Sequence, residues 1–349
     1  IYQRVVLLKN AGFYPEAGEY IKYGLACPRY SQADKRRLHG LMAEIIFAAE
    51  SGNAIHSPVN AARILEHSDN STGSGEGHDA DMHRIRSYAW EWLNQPVRAL
   101  DESQQAIAKS VKNPWENRRR MIQIQRAVGG TSADEFHAAY DEFLNSDQIS
   151  DQLRYWALEQ KIELYARQEK HQEAAECLAD HRGRFEGSGL QRHYDYLQAL
   201  VWFHVKQYDR AEQLLGWLCE DMKPADELYA PTVWLLGQVR QSQQRYADAL
   251  AGYEEALAEL ARGPYRTAVL FGRAEMLARQ QCYPESIRAF AETIKCAEED
   301  SYQSKIDLHT IRKTTTDIYK QLLAEDQPEQ ALEYLELAAQ LVPSGDAQL

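Results

Sequence analysis

The sequence predicts an all-α protein, an α-solenoid of stacked helix-turn-helix units. Three observations carry that expectation: a motif recurring at near-constant spacing, a body rich in helix formers, and breaks that fall where the motif restarts. The motif RYADALAGYEEAL at 245–257 has counterparts in KHQEAAECLADHR (170–182), QYDRAEQLLGWLC (207–219), CYPESIRAFAETI (282–294) and QPEQALEYLELAA (327–339). Aligned on their fifth residue, they place Ala174, Ala211, Ala249, Ser286 and Ala331 in register, at steps of 37, 38, 37 and 45 residues. A period in this range marks stacked helical hairpins. The chain has 11 prolines and 19 glycines in 349 residues, and is rich in Ala, Leu, Glu, Gln and Arg, which favour helix. Because each unit of a solenoid packs only on its neighbours, length here counts repeats.

The repeat extends toward the N-terminus. FYPEAGEYIKYGL (13–25) and QPVRALDESQQAI (95–107) fit the same register through Ala17 and Ala99. Between them, 43–68 reads as a helix, an SGN turn, and a second helix with Ser57 as N-cap and Pro58 at its first position. A further unit at 116–146 breaks at Gly129-Gly130 and restarts from a Thr/Ser cap with an acidic first turn. This makes about nine hairpins, with turns expected near 12–14, 51–57, 94–96, 129–132, 169–171, 206–209, 244–246, 281–284 and 325–328. HSDNSTGSGEGHDAD (67–81) is polar, Gly/Ser-rich and acidic, hence a loop or joint, and RFEGSG (184–189) is a shorter joint.

The spacing has a packing explanation. Ala249, Tyr253 and Ala256 fall at i, i+4 and i+7, one face of a helix, where small residues permit close approach and the aromatic fills the space beside them. Ala199, Gly237 and Ala274 each lie twelve residues before Ala211, Ala249 and Ser286, on the preceding helix. A glycine inside a helix costs about 1 kcal/mol, so Gly237 is expected to mark a close backbone contact.

These residues resemble the tetratricopeptide repeat (TPR) family, whose unit carries a W-x2-L-G-x2-Y, A-x3-F, P pattern. In VWLLGQVR followed by YADALAGYEEALAEL, Leu236, Gly237, Ala249, Tyr253 and Ala256 answer to the marked positions, while Trp234 stands one residue off the family's tryptophan. The resemblance is strong over 190–298, fair over 150–189 and 300–343, and weak before 150. It implies a right-handed α-solenoid whose first helices line a concave groove. The expected organisation is N-terminal hairpins over 1–68, a flexible loop over 69–80, degenerate repeats over 81–149 and a TPR-like superhelix over 150–349.

Carried over repeat by repeat, the groove would hold Tyr196, Leu200 and His204, then Trp234, Gln238 and Ser242, then Phe271, Glu275 and Arg279. Trp156, Glu159, Glu163 and Arg167 would extend it upstream. Tyr196, Trp234 and Phe271 would form an aromatic ladder suited to an extended or helical peptide. A core role for the same three rings is the competing reading. The Lys, Arg and Asn set with which some family members grip a C-terminal carboxylate is not expected here. The resemblance thus implies a non-enzymatic scaffold or adaptor for a protein or peptide partner, expected to be the soluble repeat region of a larger or membrane-anchored protein.

Charge and composition set further expectations. Fifty-two acidic against 39 basic side chains give a net charge of −13, which repels phosphate backbones, so nucleic acid is not an expected partner. Cys27, Cys177, Cys219, Cys282 and Cys296 form no CxxC pair, and read as small buried hydrophobes in a reducing, cytoplasmic compartment. A chain cut from an exported or anchored protein would instead sit in the periplasm. No apolar run reaches the roughly 20 residues of a membrane span. The chain opens at Ile1 inside a helical pattern, which reads as a piece of something longer, and its apolar start could be covered by upstream sequence or by a second copy. LVPSGDAQL reads as a polar end.

No catalytic, cofactor or metal set is expected. His78 and His83 flank an acidic stretch, but their spacing in a loop is poor ligand geometry. Glu254 with Glu255, and Glu298 with Glu299 and Asp300, read as solvated faces, and Arg118, Arg119 and Arg120 as an exposed helix face or a docking spot for an acidic partner. The alternative function is an α/α-toroid enzyme acting on a carbohydrate, with Tyr20, Trp90, Trp92 and Trp115 supplying stacking faces.

Overall fold

The computed structural model describes residues 1–53, 55–73, 77–110, 114–260, 263–299 and 304–341. Its described residues form α-helices and turns, with no strand. The helices pair in sequence. They are α1 (Tyr2–Asn10) with α2 (Tyr14–Ala26), α3 (Gln32–Glu50) with α4 (Pro58–Asp69), α5 (Ala80–Trp92) with α6 (Pro96–Lys109), and α7 (Trp115–Val128) with α8 (Ala133–Asn145). There follow α9 (Asp151–Arg167) with α10 (His171–Phe185), α11 (Gln191–His204) with α12 (Tyr208–Asp221), α13 (Tyr229–Ser242) with α14 (Tyr246–Glu259), α15 (Pro264–Arg279) with α16 (Tyr283–Glu299), and α17 (Leu308–Ala324) with α18 (Pro328–Gln340). Among the described residues, nine hairpins turn at the nine expected places. The chain divides into two compact units, Ile1–Ala157 and Leu158–Leu349. Residues 74–76 of the polar loop, Asp300 and the C-terminal segment from 342 lie outside the described residues.

The caps follow from local chemistry. Ser57 accepts from the Asn60 N–H, with Pro58 at the first helical position. Ser132 and Glu135 form a capping box at the start of α8. Seven hairpins share one further device among the described residues. The residue two before each second helix is left-handed, and the next N–H donates five residues back, as in Gln207 N to Trp202 O and Arg245 N to Arg240 O, at 2.8 and 2.9 Å. Gly12 fills this position in the first hairpin. Asn94, Glu169, Lys206, Gln244, Gln281 and Asp326 fill it in the other six, with φ between 55° and 63°.

The register residues are the crossing points. Ala17, Ala99, Ala211, Ala249, Ser286 and Ala331 are fully buried. The contact with the helix before is explicit at Ser286, whose Oγ donates to the carbonyl of Ala274, 2.8 Å away. Gly237 serves a related purpose by a different contact. A Cβ there would lie 2.1 Å from Cζ of Tyr253, and one at Gly272 would lie 2.6 Å from the same ring. The space reserved at Gly237 is therefore occupied by an aromatic ring rather than by approaching backbone. Tyr253 is fully buried, and its hydroxyl donates to the carbonyl of Trp234 at 3.4 Å.

Two other expectations change. All five cysteines are free thiols, but each is half-buried rather than fully buried; burial pushes the Cys219 thiol up to about 11. Arg120 is not on an exposed face: only 4 % of it is accessible. Its guanidinium lies 3.7 Å from the Tyr88 ring centre and pairs with Glu91.

Gly237→Ala should destabilise the chain by about 1–3 kcal/mol through overpacking against Tyr253, although helix propensity alone favours alanine. An unchanged denaturant midpoint would refute that contact. Gln244→Gly should act in the opposite direction, raising stability by about 0.5–1 kcal/mol by relieving a left-handed residue that carries a Cβ. The same denaturation series checks it.

Candidate functional site

The first helices α11, α13 and α15 touch in succession. They are buried over most of their circumference; in α13, Pro231, Thr232, Val233, Leu235, Leu236, Gly237 and Val239 are all buried. That leaves a narrow open strip. On it the structure gathers Tyr196 from α11, Trp234 from α13 and Tyr265 from α15, each half-buried. The Trp234 and Tyr265 rings are 6.0 Å apart, centre to centre, and tilted at 58°. The Tyr196 and Tyr265 phenols lie close enough for each to act on the other electrostatically. Lys305, just before α17, places its ammonium 5.4 Å from the Tyr265 ring centre.

Glu159 of α9 completes this cluster. Its surface is open to solvent, but the surrounding protein displaces enough bulk water to hold its carboxyl above the usual range, with the Glu163 carboxylate adding to the rise and Lys305 opposing it. Loss of water raises the Tyr196 and Tyr265 phenols, and the Glu159 charge raises both further. The arrangement presents aromatic faces, two phenol oxygens, one carboxylate and one ammonium. It suits recognition of a chain that carries both apolar and polar groups.

The other expected groove residues fall in different places. Phe271 is only 7 % exposed and packs edge-to-face on Phe290, with ring centres 6.0 Å apart, so it is core of the α15–α16 hairpin rather than a rung of a ladder. Leu200 is half-buried like Tyr196, and both pack against the same core cluster of Ala199, Leu235 and Val239. Trp156 belongs to the other unit, where its ring meets Tyr140 and Phe143 edge-on at 5.9 and 5.4 Å. His204 stacks on His171 at 5.1 Å, at the end of α11. Partial loss of water lowers its pKa, and His171 adds to the effect. Glu163 and Arg167 pair with each other, i to i+4, at 2.6 Å. Gln238 is half-buried one turn beyond Trp234, and Ser242 is exposed.

Glu275 and Arg279 line a cavity of about 370 Å³ with Tyr246, Tyr283, Asp317 and Ile318. Burial pushes the Glu275 carboxyl up to about 7, against a modest opposing pull from Arg279.

The residues set aside for other chemistry are engaged within the 1–157 unit. His83 Nδ1 meets Glu102 at 2.7 Å, and Arg86 holds the other Glu102 oxygen at 2.7 Å. Lys109 stands 3.2 Å from His83 Nε2, so two cations occupy the ground a metal would need. No group of three or more metal-ligating side chains occurs among the described residues. Trp92 stacks on His56 at 4.3 Å, Trp90 lies under Arg98, and Trp115 packs on Phe143. No helix among the described residues is long and apolar enough to cross a membrane.

No protein-family model matches the chain, and no curated protein matches it. Solved structures do. The apo form of RapI aligns with a TM-score of 0.56 at 12 % identity, over 97 % of this chain and 95 % of that one. Yeast Tom70 aligns with a TM-score of 0.51 at 15 % identity, over 92 % of this chain and 63 % of Tom70. The fold is that of a divergent TPR solenoid. The apo form of the quorum sensor NprR from B. thuringiensis aligns likewise, with a TM-score of 0.50 at 11 % identity, over 97 % of this chain and 85 % of that one.

Within the TPR frame, Tyr265 and Lys305 are the cluster members that repeat-by-repeat transfer missed. Tyr265 stands six residues before Phe271, near the start of α15, and Lys305 precedes its helix altogether. The available signal was the aromatic following Pro264 in GPYRTAVLF.

Glu275 generates a pH test. Its folded pKa lies above the ordinary 4.5, so its contribution to stability is complete below about pH 4.5 and is lost as pH rises through about 7. Glu275→Gln, neutral throughout, should remove that decline. Thermal midpoints from pH 5 to pH 8 should show the variant gaining on the wild type by about 2–4 °C for each kcal/mol involved. Parallel curves would mean that the carboxylate is fully hydrated.

Proposed function

We propose that this chain is a non-enzymatic interaction scaffold or adaptor that holds an extended or helical peptide segment of a protein partner along the first-helix strip of the 158–341 region. The observation that carries this reading is the convergence of Tyr196, Trp234 and Tyr265 from three successive hairpins, with Glu159 and Lys305 beside them. Tyr196 and Trp234 lean on the core clusters beneath them without being sealed in. The three rings are half-buried, while the residues around them on α13 are buried. Aromatic side chains fixed by rigid helices bind at low entropic cost, and Trp and Tyr are enriched among residues that dominate binding energy.

The TPR-type neighbours support the same class of function; NprR, one of them, is a quorum sensor. On this reading Gln238, Glu275 and Arg279 are further groove residues, and the chain is the repeat region of a larger or anchored protein. The net charge of −13 favours a partner segment with basic character over an acidic one.

Partners captured with the intact chain, identified by mass spectrometry and then titrated in purified form, give the test. Trp234→Ala should weaken the purified interaction by about 2 kcal/mol or more, with a change in thermal midpoint well below that of a core truncation, which costs about 3–5 kcal/mol. Tyr196→Phe, which removes one hydroxyl, provides a milder probe that leaves packing intact. Undiminished binding by both folded variants would overturn the groove assignment.

A further inference from the structure

The cavity beside Glu275 has a shape and lining that specify a ligand more narrowly than the aromatic cluster does. It lies between the C-terminal turn of α15, the first residues of α14 and α16, and the middle of α17, and encloses about 370 Å³. Tyr246, Tyr283 and Ile318 give it apolar walls. Glu275 and Asp317 bring carboxylates from two different helices. Glu275 is half-buried, and the charge that acts on its carboxylate is that of Arg279 on its own helix. Asp317 has only a long contact of 3.9 Å to exposed Lys320 on its own helix. Arg279 is exposed one turn beyond Glu275.

A carboxylate withdrawn from water is costly, and it is relieved by a proton or by a cation. A metal ion is a poor occupant, because two carboxylates fall short of the six to eight oxygens that calcium takes. An anion would meet Arg279 but also two negative groups. A lysine or arginine side chain fits both features of the lining, since its aliphatic stem covers apolar wall while its head reaches a carboxylate. We infer that this cavity receives one basic side chain, lysine or arginine, of the peptide segment held along the first-helix strip. The inference rests on the peptide-binding reading above and adds a position-specific preference to it.

The assignment carries a pH signature. The groups facing Glu275 are Arg279 on its own helix, Tyr246 and Tyr253 on α14, Tyr283 on α16 and Asp317 on α17. No histidine lines the cavity. With its carboxyl held near 7, Glu275 gains negative charge as pH rises through that value, so affinity for a cation should strengthen over the same range.

Three fluorescent hexapeptide pools with random flanks and one fixed residue, Lys/Arg, Gln or Glu, would be titrated against the full chain by anisotropy. At pH 8 the Lys/Arg pool should bind about tenfold more tightly than the Gln pool, and the margin should shrink at pH 5.5. Glu275→Gln should abolish the margin at pH 8, and Asp317→Asn should narrow it. Equal binding of the pools, preference for the Glu pool, binding by none, or a margin that survives Glu275→Gln would overturn the inference. Trp234→Ala separates the two readings. If it abolishes binding of every pool while the wild type shows no Lys/Arg margin, the strip stands and the basic pocket falls. If a Lys/Arg margin persists at full affinity in Trp234→Ala, the pocket stands and the aromatic strip falls.

Discussion

The ring of Tyr253 fixes the spacing on which the 158–341 region depends. Two glycines, Gly237 on α13 and Gly272 on α15, leave room for it, and it is sealed from solvent. One side chain thus sets the distance between its own helix, the helix before it and the helix after it. Since a well-packed interior does not yield continuously, that distance is a discrete solution rather than an average. The hydroxyl bond to the Trp234 carbonyl then anchors the backbone that carries the aromatic strip. Trp234 and Tyr265 stand within reach of each other on two helices whose separation that third ring sets.

The strip itself shows how mostly buried helices can present side chains to solvent. Its open side is narrow, so a few residues per repeat decide what is presented. Phenol, indole, carboxylate and ammonium from separate hairpins come together without any two adjacent in sequence. The phenols and Glu159 share a region from which water is partly displaced, where polar interactions are stronger than in bulk water. In the 1–157 unit, two sets of charged residues are engaged with one another. Arg120 lies on Tyr88 beside Glu91, and Glu102 joins His83 and Arg86, so their charges act within the fold.

The fold was legible because its crossing points tolerate only small residues. Ala211, Ala249 and Ser286 repeat at the period of the hairpins for a steric reason, and that reason is visible in the letters. The strip was less legible because helices buried nearly all round carry no apolar-to-polar boundary. Phe271 therefore matched the spacing of Trp234 while facing core, and the ring that meets Trp234 is that of Tyr265, six residues earlier. Three consecutive arginines gave a similar ambiguity: successive residues on a helix are about 100° apart, so only contacts reveal that Arg120 turns inward. At Gly237 the need for space was readable, but not the identity of the occupant.

The six left-handed turn residues make the hairpin joints geometrically equivalent. Joining the chain at Gln244 directly to the residue after Gln281 would excise α14 and α15 while preserving the turn, because both residues hold the same backbone conformation. The excision removes Tyr253 and Gly272 together and brings Phe290, the residue one period on from Tyr253, opposite Gly237. A ring lost is replaced by a ring. Repeat number in this architecture can therefore change by whole cassettes, shortening or lengthening the recognition strip while the rule that spaces its helices stays in force.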